Sequence, residues 1–195
     1  MKKITTKDKS KARNILILSI LLVGIMVIST VGFALNFGGG NKNSKDIVDY
    51  NGVKFFRDSE NSGYWRFNYQ NYDFIMQYNP QEVSDIKFFT TLSVQSYAGK
   101  PLYFSGDSGE PVYEIVRNLG ERFIPRTQKA CISEKECKED LPVKNCSDDN
   151  IIILKEPEEN QSEGIYQEEN CIFIIAKYSN QTRFADRFLF GILKI

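Results

Sequence analysis

The chain offers four cysteines, 25 carboxylates, 25 cationic side chains and no histidine. Without imidazole there is no Ser-His-Asp triad, no Cys-His dyad, no His-ligated zinc and no proton shuttle tuned to neutral pH. Thiol, carboxylate and hydroxyl chemistry remain. The cysteines are Cys131, Cys137, Cys146 and Cys171. Their spacing holds no C-x-x-C pair, which argues against a zinc ribbon or a thioredoxin-like redox site and leaves two structural disulfides as their use. Three pairings are open. Cys131–Cys137 with Cys146–Cys171 is favoured, because its second bridge ties the start of one apolar strand to another.

The carboxylates concentrate between Glu134 and Glu169, where 12 acids stand against four lysines. Calcium takes such oxygen ligands, but no D-x-[DN]-x-[DN]-G loop is present, and a solvated loop with a hairpin tip at Pro157-Glu158-Glu159 is expected. No metal and no cofactor is assigned. A carboxylate pair for glycoside hydrolysis needs two acids facing each other across about 5–10 Å, which abundance alone does not supply. Asp186-Arg187 near the C-terminus reads as a source of surface ion pairs. Gly106-Asp107-Ser108-Gly109-Glu110-Pro111 resembles the GDSGGP nucleophile segment of chymotrypsin-like serine proteases. It departs from it at Glu110, and the chain has no histidine to act as base. A strand-to-helix turn capped by Asp107 or Ser108 is the expected role. No catalytic residue is assigned.

Fifteen of the 25 aromatic residues fall between Tyr50 and Phe104. Such rings fill cores and cross-strand pairs, which is the favoured reading, or build a stacking platform for sugars or peptides. The candidates for a ligand-facing role are Tyr64, Trp65, Tyr69 and Tyr72. Asn145, Asn160 and Asn180 each open an Asn-x-Ser/Thr glycosylation triplet.

These residues need a frame, and the N-terminus supplies its first part. Residues 1–14 carry six basic side chains and one acid, which leaves 19 basic and 24 acidic residues beyond them, a net of −5. A mildly acidic body disfavours nucleic acid as a partner. From Ile15 to Leu35 runs a stretch of 21 residues without a charge. As a helix it is about 31 Å long, matching a hydrocarbon core of about 30 Å. The basic arm stays cytoplasmic by the positive-inside rule, so the body is expected outside the cell. Gly32-Phe33-Ala34 would also suit a signal peptidase, but the run exceeds the usual length of a cleaved h-region and favours a retained anchor. Residues 36–45, glycine- and asparagine-rich, form a flexible linker.

The body, residues 46–195, reads as one α+β domain. Residues 64–69 and 72–78 alternate, with Gln70-Asn71 as a hairpin tip, and Asn51-Gly52 marks another turn. Asn79-Pro80-Gln81-Glu82-Val83 opens a short helical turn. Ile86, Phe88, Thr90, Leu92 and Val94 alternate as in a strand, and Leu102-Tyr103-Phe104 is a short strand. Glu110–Phe123 carries an apolar helical stripe of Val112, Ile115, Val116, Leu119 and Phe123. Residues 129–137 read as a second helix and Arg183–Leu193 as a closing one. The continuous apolar runs 151–154 and 171–176 suit strands covered on both faces.

Tyr50-Asn51-Gly52 with Phe55, Tyr78 to Val83, Lys100-Pro101-Leu102-Tyr103, the four cysteines with Leu141-Pro142, and Asp186-Arg187-Phe188-Leu189-Phe190 together resemble a loose group of archaeal single-pass membrane-anchored proteins with a four-cysteine outer domain. The resemblance implies location and architecture and carries no activity. The expected function is therefore a membrane-anchored extracytoplasmic module that binds protein or cell-surface glycan. The alternatives are a carboxylate-dependent hydrolase of surface glycan, or an accessory subunit of a membrane protein complex.

Overall fold

The computed structural model describes residues 17–26, 47–58, 63–120, 122–135, 137 and 140–195. The chain divides into two compact units, Met1–Asn43 and Ser44–Ile195. In the first, residues 17–26 form helix α1, with large apolar side chains such as Ile17, Leu21 and Met26 exposed. The rest of the apolar run 15–35, the basic arm 1–14 and the linker 36–45 lie outside the described residues. Among the described residues no helix is long and apolar enough to cross a membrane.

The second unit is an α+β domain with two sheets. Strands β1 (Ile47–Tyr50), β2 (Val53–Arg57), β3 (Trp65–Tyr69) and β4 (Tyr72–Met76) form an antiparallel meander in that order. Its tight turns are Asn51-Gly52 and Gln70-Asn71, all four residues at positive φ, as two-residue hairpins require. The second sheet has the order β6-β5-β7-β9-β8. It contains β5 (Leu102–Gly106), β6 (Thr127–Lys129), β7 (Asn150–Lys155), β8 (Gly164–Glu168) and β9 (Cys171–Ile175). All neighbours are parallel except the edge hairpin β8–β9.

Three helices complete the domain: α2 (Val94–Tyr97), α3 (Glu110–Leu119) and α4 (Gln181–Leu193). The main core joins the inner face of the first sheet (Phe55, Trp65, Phe67, Phe74, Met76), α3, α4 and one face of the second sheet (Leu102, Phe104, Ile152, Leu154, Ile172, Ile174). Helix α4 lies amid these rings, with Phe190 5.9 Å from Phe55 and 6.0 Å from Phe67. The other face of the second sheet carries a small cluster of Tyr103, Ala130, Ile151, Ile153 and Cys171. Strand β7 thus buries Ile151 and Ile153 on one side and Ile152 and Leu154 on the other, the two-sided cover its unbroken apolar run implies.

Both disulfides are formed, Cys131–Cys137 and Cys146–Cys171. The first explains why residues 129–137 are not a helix. Six residues of α-helix advance about 9 Å, whereas the two Cα atoms lie 5.5 Å apart. The segment instead follows β6 irregularly and makes an isolated bridge between Cys131 and Val143.

Residues 86–94 also differ from expectation. They keep their alternating burial, with Ile86, Phe88, Leu92 and Val94 in the core, but pair with no strand. Side chains of α4 and of Lys194 at its C-terminal cap take the place of a ladder. Arg187 donates to the carbonyls of Ile86 (2.8 Å) and Phe88 (3.2 Å), and Lys194 donates to that of Thr90 (2.9 Å). Asn79 and Glu82 open the helical turn before this segment. The Asn79 side-chain oxygen accepts from the amides of Gln81 and Glu82, and Glu82 accepts from that of Asn79. Helix α3 stops at Leu119 because Gly120 turns extended. Pro157-Glu158-Glu159 is no hairpin tip, since β7 pairs with β5 and β9 and the segment crosses to the edge strand β8.

Candidate binding cleft

The edge strand β8 hydrogen-bonds to β9 alone. Its side chains divide by pleat. Ile165 enters the core, while Tyr166 lies on the outer face, stacked on Phe173 at 4.7 Å between ring centres. Gln167 draws the segment 87–91 alongside. Its side-chain oxygen accepts from Thr90 Oγ1 (2.6 Å) and Thr91 N (3.0 Å), and its amide nitrogen donates to Thr91 Oγ1 (3.0 Å) and Glu169 O (2.8 Å). This pinning leaves Phe89 90 % exposed.

Between segment and strand opens a cleft of about 630 Å³, lined by Phe89, Tyr166, Thr90, Thr91, Lys87 and Glu169 among others. Two aromatic surfaces, hydroxyls, a cation and an anion in one lining suit a ligand that presents flat apolar faces with polar groups around them. Glu169 is the one carboxylate among the described residues of the lining, so no two acids face each other there. The sequence signal for Phe89 was its position out of phase in the alternating run, which gives it to the side away from the core.

The aromatic residues expected to face a ligand do not form one platform. Trp65 is only 2 % exposed and belongs to the core, which corrects its candidacy. Tyr69 is half-buried against the same core. It is the cross-strand partner of Tyr72, at the end of the hairpin opposite Trp65. Tyr72 is exposed and meets Phe123 edge-on at 5.0 Å. Tyr64 is half-buried, lies under the Arg117 guanidinium at 4.7 Å and donates its hydroxyl to Glu110 at 3.3 Å. Asn145, Asn160 and Asn180 stand in three separate segments.

A buried polar cluster was missed by sequence. Glu114 and Asn118 of α3 and Asp186 of α4 are all buried. They hold β4 and the residues after it. Asn118 accepts from Ile75 N (2.9 Å) and donates to Ile75 O (2.8 Å). Glu114 accepts from Gln77 N (3.0 Å), and Asp186 accepts from Tyr78 N (2.8 Å). Glu114 also pairs with Arg117. Asp186 is therefore no surface ion-pair residue. Burial first, and the neighbouring Glu114 charge second, hold its carboxyl well above the ordinary aspartate range. Burial likewise raises Glu114, against the pull of Arg117. The two carboxyls have no access to solvent or substrate, so their work is cohesion.

The Gly106–Pro111 turn is explained by backbone geometry. Gly106, at φ +85, lies so close to β7 that an added Cβ would sit 2.1 Å from the Leu154 carbonyl oxygen. Neither Asp107 nor Ser108 caps α3; Gly109 does, at φ +118. Asp107 instead accepts from Gln181 of α4 at 2.7 Å, and Ser108 is exposed. Among the described residues no three His, Cys, Asp or Glu side chains gather to hold a metal ion. No family model, curated protein or solved structure matches the chain.

Proposed function

We propose that residues 15–35 anchor the chain in a membrane with the basic arm in the cytoplasm, and that residues 46–195 form an extracytoplasmic module acting by binding. Its ligand is a protein segment or a cell-surface glycan held at the Phe89–Tyr166 cleft. The exposed rings of Phe89 and Tyr166, brought together in one cleft at an edge strand, carry this reading, because clustered rather than single exposed rings mark an interaction site. The location draws support from the uncharged run, the exposed apolar side chains of α1 and the two disulfides, which persist in oxidising compartments.

A photo-reactive phenylalanine analogue at position 89 of the full chain, irradiated in native membranes, tests the binding. A discrete cross-linked species that Tyr166→Ala reduces several-fold is the expected outcome. Cross-linking to lipid or solvent only, or a product indifferent to Tyr166→Ala, would overturn it. Digestion of intact cells with external protease tests the location, and a protected domain would refute it.

A further inference from the structure

The three Asn-x-Ser/Thr triplets are equal in sequence and unequal in the fold. At Asn145 the triplet is turned in on itself. The Asn145 side-chain oxygen accepts from Ser147 Oγ (2.6 Å), Ser147 N (3.1 Å) and Asp148 N (3.0 Å), and Cys146 between them is bridged to Cys171. At Asn180 the side-chain nitrogen donates to both oxygens of Glu163, at 3.3 and 3.1 Å. The residue is half-buried at the start of α4, Gln181 beside it is fully buried, and Thr182 lies in the first helical turn. A sugar on the Asn180 nitrogen would break its bonds to Glu163, whereas at exposed Asn145 the three bonds to the side-chain oxygen and the adjoining disulfide hold the triplet in a closed turn that a transferring enzyme would have to open.

Asn160 is neither half-buried, as Asn180 is, nor drawn into a side-chain turn, as Asn145 is. It lies in the crossover from β7 to β8, where residues 158–162 are all exposed. Gln161 closes the loop by donating its amide to Glu158 O and accepting from Glu158 N, both at 2.9 Å. That closure leaves Asn160 at the outer corner at φ +67, a backbone conformation asparagine tolerates. Among the described residues the fold engages neither its side chain nor that of Ser162. A bulky, hydrated group there costs the domain no hydrogen bond and no packing.

We infer that Asn160 carries an N-linked glycan and that Asn145 and Asn180 remain bare in the folded protein. The inference rests on the extracytoplasmic reading, because the modification is a mark of exported chains. The donor is an oligosaccharide linked through phosphate to a polyisoprenoid lipid. The Asn160 side-chain nitrogen attacks the anomeric carbon, an N–C bond forms, and the bond from that carbon to the phosphate oxygen breaks. The electron pair of the broken bond leaves with the phosphate. The nitrogen gives up one of its two protons to the transferring enzyme and keeps the other, and nothing is oxidised or reduced.

The test is site-resolved mass spectrometry and gel mobility of the full chain from a cell that N-glycosylates its exported proteins, with external protease on intact cells run in parallel. One glycan increment at Asn160 is expected. It should be lost in Asn160→Gly, which keeps the positive φ, and in Ser162→Ala, and kept in Asn145→Gln and Asn180→Gln. A protease-accessible, disulfide-bonded domain bare at Asn160 overturns the inference and leaves the topology standing, as does a glycan on folded protein at Asn145 or Asn180. A protease-protected domain overturns both.

Discussion

Asp186 and Glu114 show how two acids can serve as an apolar core's fastening. Each accepts an amide hydrogen from the chain leaving β4, and Arg117 balances one negative charge. A second charge at full burial is unaffordable, so Asp186 holds its proton where an exposed aspartate would lose it. The sign of the pH dependence follows. The folded chain binds this proton more tightly than the unfolded chain, so the stabilisation is complete below the unfolded aspartate pKa of about 3.9 and is lost as pH rises towards the folded value. Across that window the slope contributed is about 1.4 kcal/mol per pH unit. Asp186→Asn keeps the acceptor for Tyr78 N and supplies a permanently neutral group. Melting temperatures of the variant between pH 4 and 8 should therefore fall less steeply with pH than those of the parent, with the variant at least as stable at neutral pH. Parallel slopes for parent and variant would show that Asp186 is not the group retaining the proton.

At the scale of elements, the second sheet is held by close approach and by a cross-link. Gly106 brings β5 against the backbone of β7, and a side chain there meets both a carbonyl and a positive φ. Gly106→Ala should cost at least about 2 kcal/mol in denaturant unfolding, or prevent folding. The disulfides differ in the loops they close, 25 residues for Cys146–Cys171 and six for Cys131–Cys137. Restriction of the unfolded chain makes them worth about 3.5 and about 2 kcal/mol respectively. Paired alanine replacement of Cys146 and Cys171 should thus lower stability more than that of Cys131 and Cys137; the opposite order would place the larger constraint in the acidic loop.

These elements also mark what the sequence makes legible. The hairpin 65–76, β5, α3, β7, β9 and α4 announce themselves because period and turn residues agree with burial. Residues 86–94 do not, because Arg187 and Lys194 bond the carbonyls of Ile86, Phe88 and Thr90 from about a hundred positions away. Asp186 looks like a surface residue because charge is the local signal, whereas α4 is buried almost all round by two sheets. The cleft depends on Gln167 meeting Thr90 and Thr91, a contact 76–77 residues distant that no local pattern encodes.

At the scale of the whole molecule, the domain from Ser44 onward has its own core, and that core includes the inner faces of both sheets. A unit of about 150 residues with a main core spanning both sheets is large enough to unfold cooperatively by itself. Its stability, however, is tied to compartment through the two cross-links. Residues 44–195 produced under oxidising conditions should show no free thiol and a single unfolding transition. In excess reductant the two entropic contributions are lost together, about 5.5 kcal/mol, a large part of the 5–15 kcal/mol that native domains possess. The reduced domain should therefore unfold at a much lower denaturant concentration, with a steeper transition because the unlinked unfolded chain exposes more surface. Equal midpoints with and without reductant would mean that the bridges do not constrain the unfolded chain, and would remove one support for the proposal that this domain works in an oxidising compartment.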